Sequence, residues 1–183
     1  MDLQYPVGKF AWTRSGEGLL ASEAERQQWL AEIEEMPARL RAAIAGLTEA
    51  QLDTPYRPEG WTVRQVVHHL ADSHLNSYVR FRLALTEDEP TIKPYEQQLW
   101  ANLTDARTAA VEISLSLVDT LHQRWVLLLR SLKPQDFARA FKHPELGRVT
   151  LERNLALYAW HGKHHVAHIT SLRQRSGWPA SGG

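Results

Sequence analysis

At 183 residues the chain can bury one sizeable core, whereas two domains cut from it would each be small. The composition is ordinary for a globular protein, 43% hydrophobic and 23% charged, and a formal net charge of zero offers no dominant basic surface for nucleic acid or an anionic membrane. The absence of cysteine excludes disulfides, thiolate metal ligands and a cysteine nucleophile, and leaves histidine as the best metal ligand.

The chain opens with "MDLQYPVGKFAW", which lacks the basic start and apolar run of a signal peptide, so a soluble cytoplasmic protein is expected. Proline and glycine punctuate residues 1–20, which read as an extended arm. The first helix is predicted from Ser22, where Ser22 and Glu25 make a capping box, to about Leu47, with a bend or break at Pro37. Its charges, "EAERQQWLAEIEEM", read as a solvated face. A second helix opens at Thr62, boxed by Gln65, and continues to about Leu85. The connection "TEDEPTIKPYEQQLWANLTDART" has room for one short helix near Glu96 to Asn102. A third helix covers roughly Val111 to Leu132; its apolar run, "RWVLLLRSL", is too short to span a membrane and is flanked by arginines. The fourth begins near Thr150 and ends around Arg173, stopped by "SGWPASGG". No segment reads as a strand. The expectation is an all-α four-helix bundle forming one domain over residues 1–183.

The two halves share an order of features. Leu47, Leu52, Tyr56, Pro58, Glu59 and Thr62 find counterparts in Leu132, Phe137, Phe141, Pro144, Glu145 and Thr150, with small insertions. Each half would then be a helix, a short connecting turn and a second helix. Turn-plus-cap grammar recurs by itself and could produce the same order.

The segment "YAWHGKHHVAH", residues 158–168, holds four of the nine histidines. On a helical wheel with His161 at zero, the apolar positions Leu151, Leu155, Tyr158, Val166, Ile169 and Leu172 centre near about 80°. His165 falls at about 40°, His168 at about 340° and His164 at about 300°. His161 and His165 lie nearest the core, four residues apart and one above the other, where two imidazoles can grip one ion. His168 is borderline and His164 belongs at the edge. The pair is similar in spacing to the H-E-x-x-H helix of zinc proteases, but Gly162 stands where the catalytic glutamate would be. Lys163, at about 200°, points away from the pocket.

A third ligand should come from another helix, and "VVHHLADSHLNSYVR" offers His68, His69 and His74. Periodicity favours His74, which lies closest to the stripe of Val63, Val66, Leu70, Phe81 and Leu85. His69 has a different case: with Ser73, Asn76 and Arg80 it forms a polar stripe that could line a cavity or face solvent. The bland readings are satisfied core histidines, or a pH-responsive histidine surface.

These residues carry a resemblance. From "YPVGKF" through "LDTPYRPEGWTVRQVVHHLADSHLNSYVRFRLALTEDEPTIKPY" to "LYAWHGKHHVAHIT" the chain resembles the DinB/YfiT-like family, close to its YfiT branch, over nearly its whole length. The resemblance implies a four-helix bundle with an added short helix, a homodimer, and one divalent ion per chain held by three histidines. Zinc is expected ahead of nickel. Carried over by motif position, the ligands are His69, the second histidine of "HHL", with His161 and His165 of "WHGKHH". His74 then becomes a supporting or packing histidine and His68 a surface one.

Three imidazoles leave a zinc-type ion with its +2 charge and an open coordination position, which can lower the pKa of bound water to about 7. The family's implied activity is hydrolysis of a small-molecule substrate. The same open position can instead deprotonate a substrate thiol, which some relatives are thought to exploit as S-transferases. The third possibility is a non-catalytic metal-binding bundle, closed by a fourth ligand such as His168 or His74. No general base is assigned. Asp72, Asn76 and Arg80 are candidates to bind substrate or to orient a ligand histidine.

Overall fold

The computed structural model describes residues 2–13 and 20–179. Four long helices dominate: α1 (Glu23–Ile44), then, after the short α2 (Glu49–Leu52), α3 (Val63–Thr86). Beyond the short α4 (Gln97–Ala101) and α5 (Thr104–Thr108) come α6 (Val111–Ser131) and, last, α7 (Leu151–Arg175). The expected start signals hold. Ser22 caps α1 and Thr62 caps α3, each in a reciprocal box with the glutamate or glutamine three residues on, and Thr150 caps α7. α1 packs on α6 and α7, and α3 packs on the same two, which closes a four-helix bundle. Among the described residues no helix is long and apolar enough to cross a membrane.

Several expectations need correction. The connection after α3 holds two short helices, α4 and α5, where one was expected. Two strands are present among the described residues: after a 3-10 turn at Pro134–Ala138, β1 (Ala140–His143) and β2 (Gly147–Thr150) form an antiparallel hairpin. Four residues per strand are too few for alternation to register in sequence. The connection is stitched to this hairpin, with Lys142 N donating to Pro90 O at 2.9 Å and Ile92 N to Lys142 O at 3.0 Å.

The first helix is not wholly solvated on its charged side. Arg26 is buried beside Glu152 of α7, 3.3 Å away, and Glu152 also accepts from Ala21 N at 2.8 Å. Nor does Pro37 break the helix, which runs through it. Proline at position 37 removes the N–H that would have bonded the carbonyl four residues earlier, that of Ile33. His122 of α6 fills that place, its Nδ1 lying 2.7 Å from Ile33 O.

The repeat between halves is structural. Pro55 bridges Thr62 antiparallel as Ala140 pairs with Thr150, and the next residues, Tyr56 and Phe141, are both buried. Each half is thus a helix, a short helical turn, a β-bridged loop and a threonine-capped helix.

The apolar core falls into two clusters stacked along the bundle axis. One gathers Leu30 and Ile33 of α1, Phe81 of α3, Trp125 and Leu129 of α6, and Leu151, Leu155 and Tyr158 of α7. The other gathers Met36, Leu40, Val66, Leu70, Val118 and Ile169. Between them, at mid-height on three of the four helices, stand histidines: His69 and His74 on α3, His122 on α6, His161 and His165 on α7. Five polar rings in a layer between apolar clusters must satisfy one another or hold something.

Candidate metal centre

His161 and His165 project from adjacent turns of α7, and His69 comes to meet them from α3. One ring nitrogen of each lies within 4.8 Å of the corresponding atoms of the other two. His69 Nε2 and His161 Nε2 face each other at 3.3 Å. Two nitrogens each about 2.0–2.1 Å from one tetrahedral ion lie about 3.3 Å apart, so the pair is spaced as zinc-type ligands would be. His165 stands edge-on to both rings, 4.5 Å from His161 and 4.8 Å from His69 between centroids, and its Nδ1 is buried without a hydrogen-bond partner.

The electrostatics suit a neutral-imidazole donor set. Burial pushes His69 down to about 3 and holds His161 and His165 well below the usual histidine range, with neighbouring histidines adding to each shift. Their ring nitrogens therefore keep lone pairs at pH 7. Hard oxygen ligands are absent from the set, which fits a borderline-soft ion better than calcium or magnesium.

The floor of histidines opens into a cavity of about 310 Å³, a volume suited to a small molecule. Trp61 packs against His69 at 4.6 Å and His165 at 6.3 Å, and its Nε1 donates to Gln98 Oε1 at 3.1 Å. Tyr56 stacks on His168 at 3.9 Å, and Trp160 stacks on His164 at 4.5 Å. The N-terminal arm supplies the far wall: His168 Nε2 donates to Gln4 O at 3.1 Å and Trp160 Nε1 to Gly8 O at 3.1 Å. Sequence reading missed this wall, because "YRPEGW" is a loop without periodicity. Its one signal is backbone: Glu59, at φ 58, occupies a left-handed conformation unusual for a non-glycine residue.

Each sequence candidate now has a position. His74, preferred by periodicity, is fully buried and does not join the three; its Nε2 lies 3.2 Å from His161 Nδ1, on the side of that ring away from His69. His68 is not on the surface. It is buried between α3 and the start of α6, within 2.7 Å of Ser114 Oγ and 3.2 Å of Ala109 O. His164, expected at the edge, is also buried, and with His165 and His168 forms a second set within 4.8 Å. Lys163 points away as expected, to Glu32 of α1 at 2.8 Å.

Gly162 is closely packed, since a Cβ there would come within 2.6 Å of Met36 Cγ on α1, and any side chain at that position would require Met36 to move. Asp72, Asn76 and Arg80 do not line the cavity. Asn76 is spent on its own helix, donating to Asp72 O at 2.8 Å, and burial together with Asp105 raises Asp72 to about 6.

A bundle with a three-imidazole set from two facing helices, open on one side to a ligand-sized cavity, defines a helical metal-binding protein. The family model for the DinB superfamily matches residues 17–169, and the chain belongs to that superfamily, within its YfiT-like group. It is 53% identical over 177 residues to the "Putative metal-dependent hydrolase" of Bacillus mycoides (strain KBAB4), covering 97% of this chain and 99% of the relative. The same figures hold for a protein of that name from Bacillus cereus (strain B4264). YfiT from Bacillus subtilis, described as a probable metal-dependent hydrolase with an unusual four-helix bundle topology, superposes with a TM-score of 0.91. It is 49% identical, with 98% of this chain and 100% of that chain covered.

Proposed function

We propose that the chain is a metal-dependent hydrolase in which His69, His161 and His165 hold one divalent ion, zinc ahead of nickel, against a small-molecule substrate. The observation that carries this reading is the facing pair of Nε2 atoms, 3.3 Å apart, beneath a cavity that His161 and His165 help to line. The names of the relatives at 53% identity support it. An ion so held supplies Lewis acidity, polarising a carbonyl and bringing the pKa of water down to about 7.

The chain's own residues do the rest. Trp61 and Tyr56 exclude bulk water from the floor and strengthen its electrostatics. His168 donates through Nε2 to Gln4 O, so its Nδ1 keeps a lone pair, and that atom is buried without a partner. It and the Glu59 carboxylate on the wall are groups able to take up a proton during turnover. His74, with both ring nitrogens set against other histidines, and His168, which lies outside the group formed by His69, His161 and His165, do not close that set as a fourth ligand, and this favours a working site over a sealed structural one.

The test is a panel of esters and amides offered to the zinc- and nickel-loaded chain. Hydrolysis should stop on chelation, return on adding the ion, and be absent in His165→Ala. Turnover that requires an added thiol and consumes it would replace hydrolysis with S-transfer. Silence across the panel and across thiols would favour a metal-binding bundle without catalysis.

A further inference from the structure

Behind the ligand face of His161, three more groups stand in line. His161 Nδ1 is 3.2 Å from His74 Nε2, His74 Nδ1 is 2.9 Å from His122 Nε2, and His122 Nδ1 is 2.7 Å from Ile33 O. Both His74 and His122 are buried, at 0% and 2% exposure, among other rings and a backbone carbonyl, where an unpaired charge would be costly, so both stand as neutral imidazoles.

In a row of neutral imidazoles the direction of every hydrogen bond is fixed by its end. A carbonyl oxygen can only accept, so His122 must carry its proton on Nδ1 and leave Nε2 bare. Nε2 of His122 then accepts from Nδ1–H of His74, whose own Nε2 is left bare. That atom accepts from Nδ1–H of His161, and the Nε2 of His161 is left as a lone pair directed at His69. Reversing any one link would put a proton on His161 Nε2 and block it as a ligand.

The end of the row is itself a product of the sequence. Ile33 O is free to accept from His122 because Pro37, four residues on, has no N–H to offer it.

We infer that His74 and His122 are positioning residues, which transmit the acceptor character of the Ile33 carbonyl through two imidazoles and so lock His161 in the tautomer, and the ring orientation, that presents Nε2 to the metal. This rests on the three-histidine metal reading and extends it. Metal-bound histidines usually donate their second N–H to a carbonyl or carboxylate directly; here the carbonyl stands two rings away. Links of this kind change metal affinity by about 10- to 100-fold when broken.

Long-range ¹H–¹⁵N correlation spectra of the histidine-labelled full chain, with zinc titrated against a competing chelator, test it. Wild-type protein should show His122, His74 and His161 all protonated at Nδ1. His122→Leu, which removes the acceptor while keeping bulk, should show a mixed tautomer at His74 and His161 and bind zinc about 10- to 100-fold more weakly. His122→Gln, which places a carboxamide oxygen near the position of Nε2, should recover most of both. A wild-type spectrum with His74 or His161 protonated at Nε2 overturns the inference, and it does so even if the leucine variant fails to fold. So does a folded leucine variant with wild-type affinity and tautomers. Wild-type protein that binds no zinc overturns the metal reading instead, and its metal-free spectrum still decides the order of protons along the row.

Discussion

His161→Ala is expected to weaken zinc binding by about 10²- to 10³-fold while the chain keeps its helices. Four-ligand zinc sites are worth about 10–16 kcal/mol, so one ligand contributes about 3–4 kcal/mol, two to three decades of affinity. His161 is the sharpest choice of the three because both of its ring nitrogens are engaged, Nε2 toward His69 and Nδ1 toward His74. His161 is half-buried, so the space the substitution leaves at mid-height in the bundle costs less than the about 2–5 kcal/mol of fully buried truncations. Competition titration with a chromophoric chelator reads the affinity, and far-UV circular dichroism verifies the fold. His143→Ala, on the β1–β2 hairpin away from the layer, is the control and should bind as wild type. Equal affinity in His161→Ala and wild type would remove His161 from the ligand set.

Acidification of the metal-free chain is expected to unfold it between about pH 6 and pH 4. The histidine layer is the cause. Burial, the largest influence on each, brings His69 to about 3 and His122, His164 and His168 to about 4, and holds His74, His161 and His165 well below their usual range. In the unfolded chain all of these regain a pKa near 6.5. Between 6.5 and the folded value the unfolded state binds more protons, so stability is whole above pH 6.5 and is lost as the pH falls toward the folded value. Each such imidazole removes about 1.4 kcal/mol per pH unit. His69 and His122 alone would take away about 5 kcal/mol by pH 4.5, comparable to the whole stability of many domains at about 5–15 kcal/mol. Circular dichroism in the presence of chelator measures it. A helical signal that holds unchanged to pH 4 would show that the layer is protonated, or open to water, within the fold.

The four helices were legible because each long segment carries its own punctuation. Capping boxes at Ser22 and Thr62 and the glycine- and proline-rich stop after Arg173 mark ends, and the 3.6-residue stripe marks faces. The pair His161 and His165 was legible for the same reason. The third histidine was not. A helical wheel finds depth, and His74 is indeed the deepest histidine on α3; the ring that meets His161 and His165 across the seam between α3 and α7 is instead that of His69. Only the resemblance to relatives pointed there.

His68 escaped because its cover is non-local: Ala109 and Ser114 reach it from more than forty residues away, bringing the segment around α5 over a face that the sequence leaves polar. Pro37 shows the converse. Local rules read it as a break, and the tertiary partner that relieves the break, His122, cannot be seen from α1 alone.

The claim on which the rest depends is that this layer holds an ion. Metal content by mass spectrometry, on protein purified without a polyhistidine tag and dialysed free of loose ions, tests it most directly. The account predicts about one zinc or nickel ion per chain, as three imidazoles with one open position require. No bound metal, even after incubation with either ion, would contradict it and reduce the histidine layer to a buried hydrogen-bonded network.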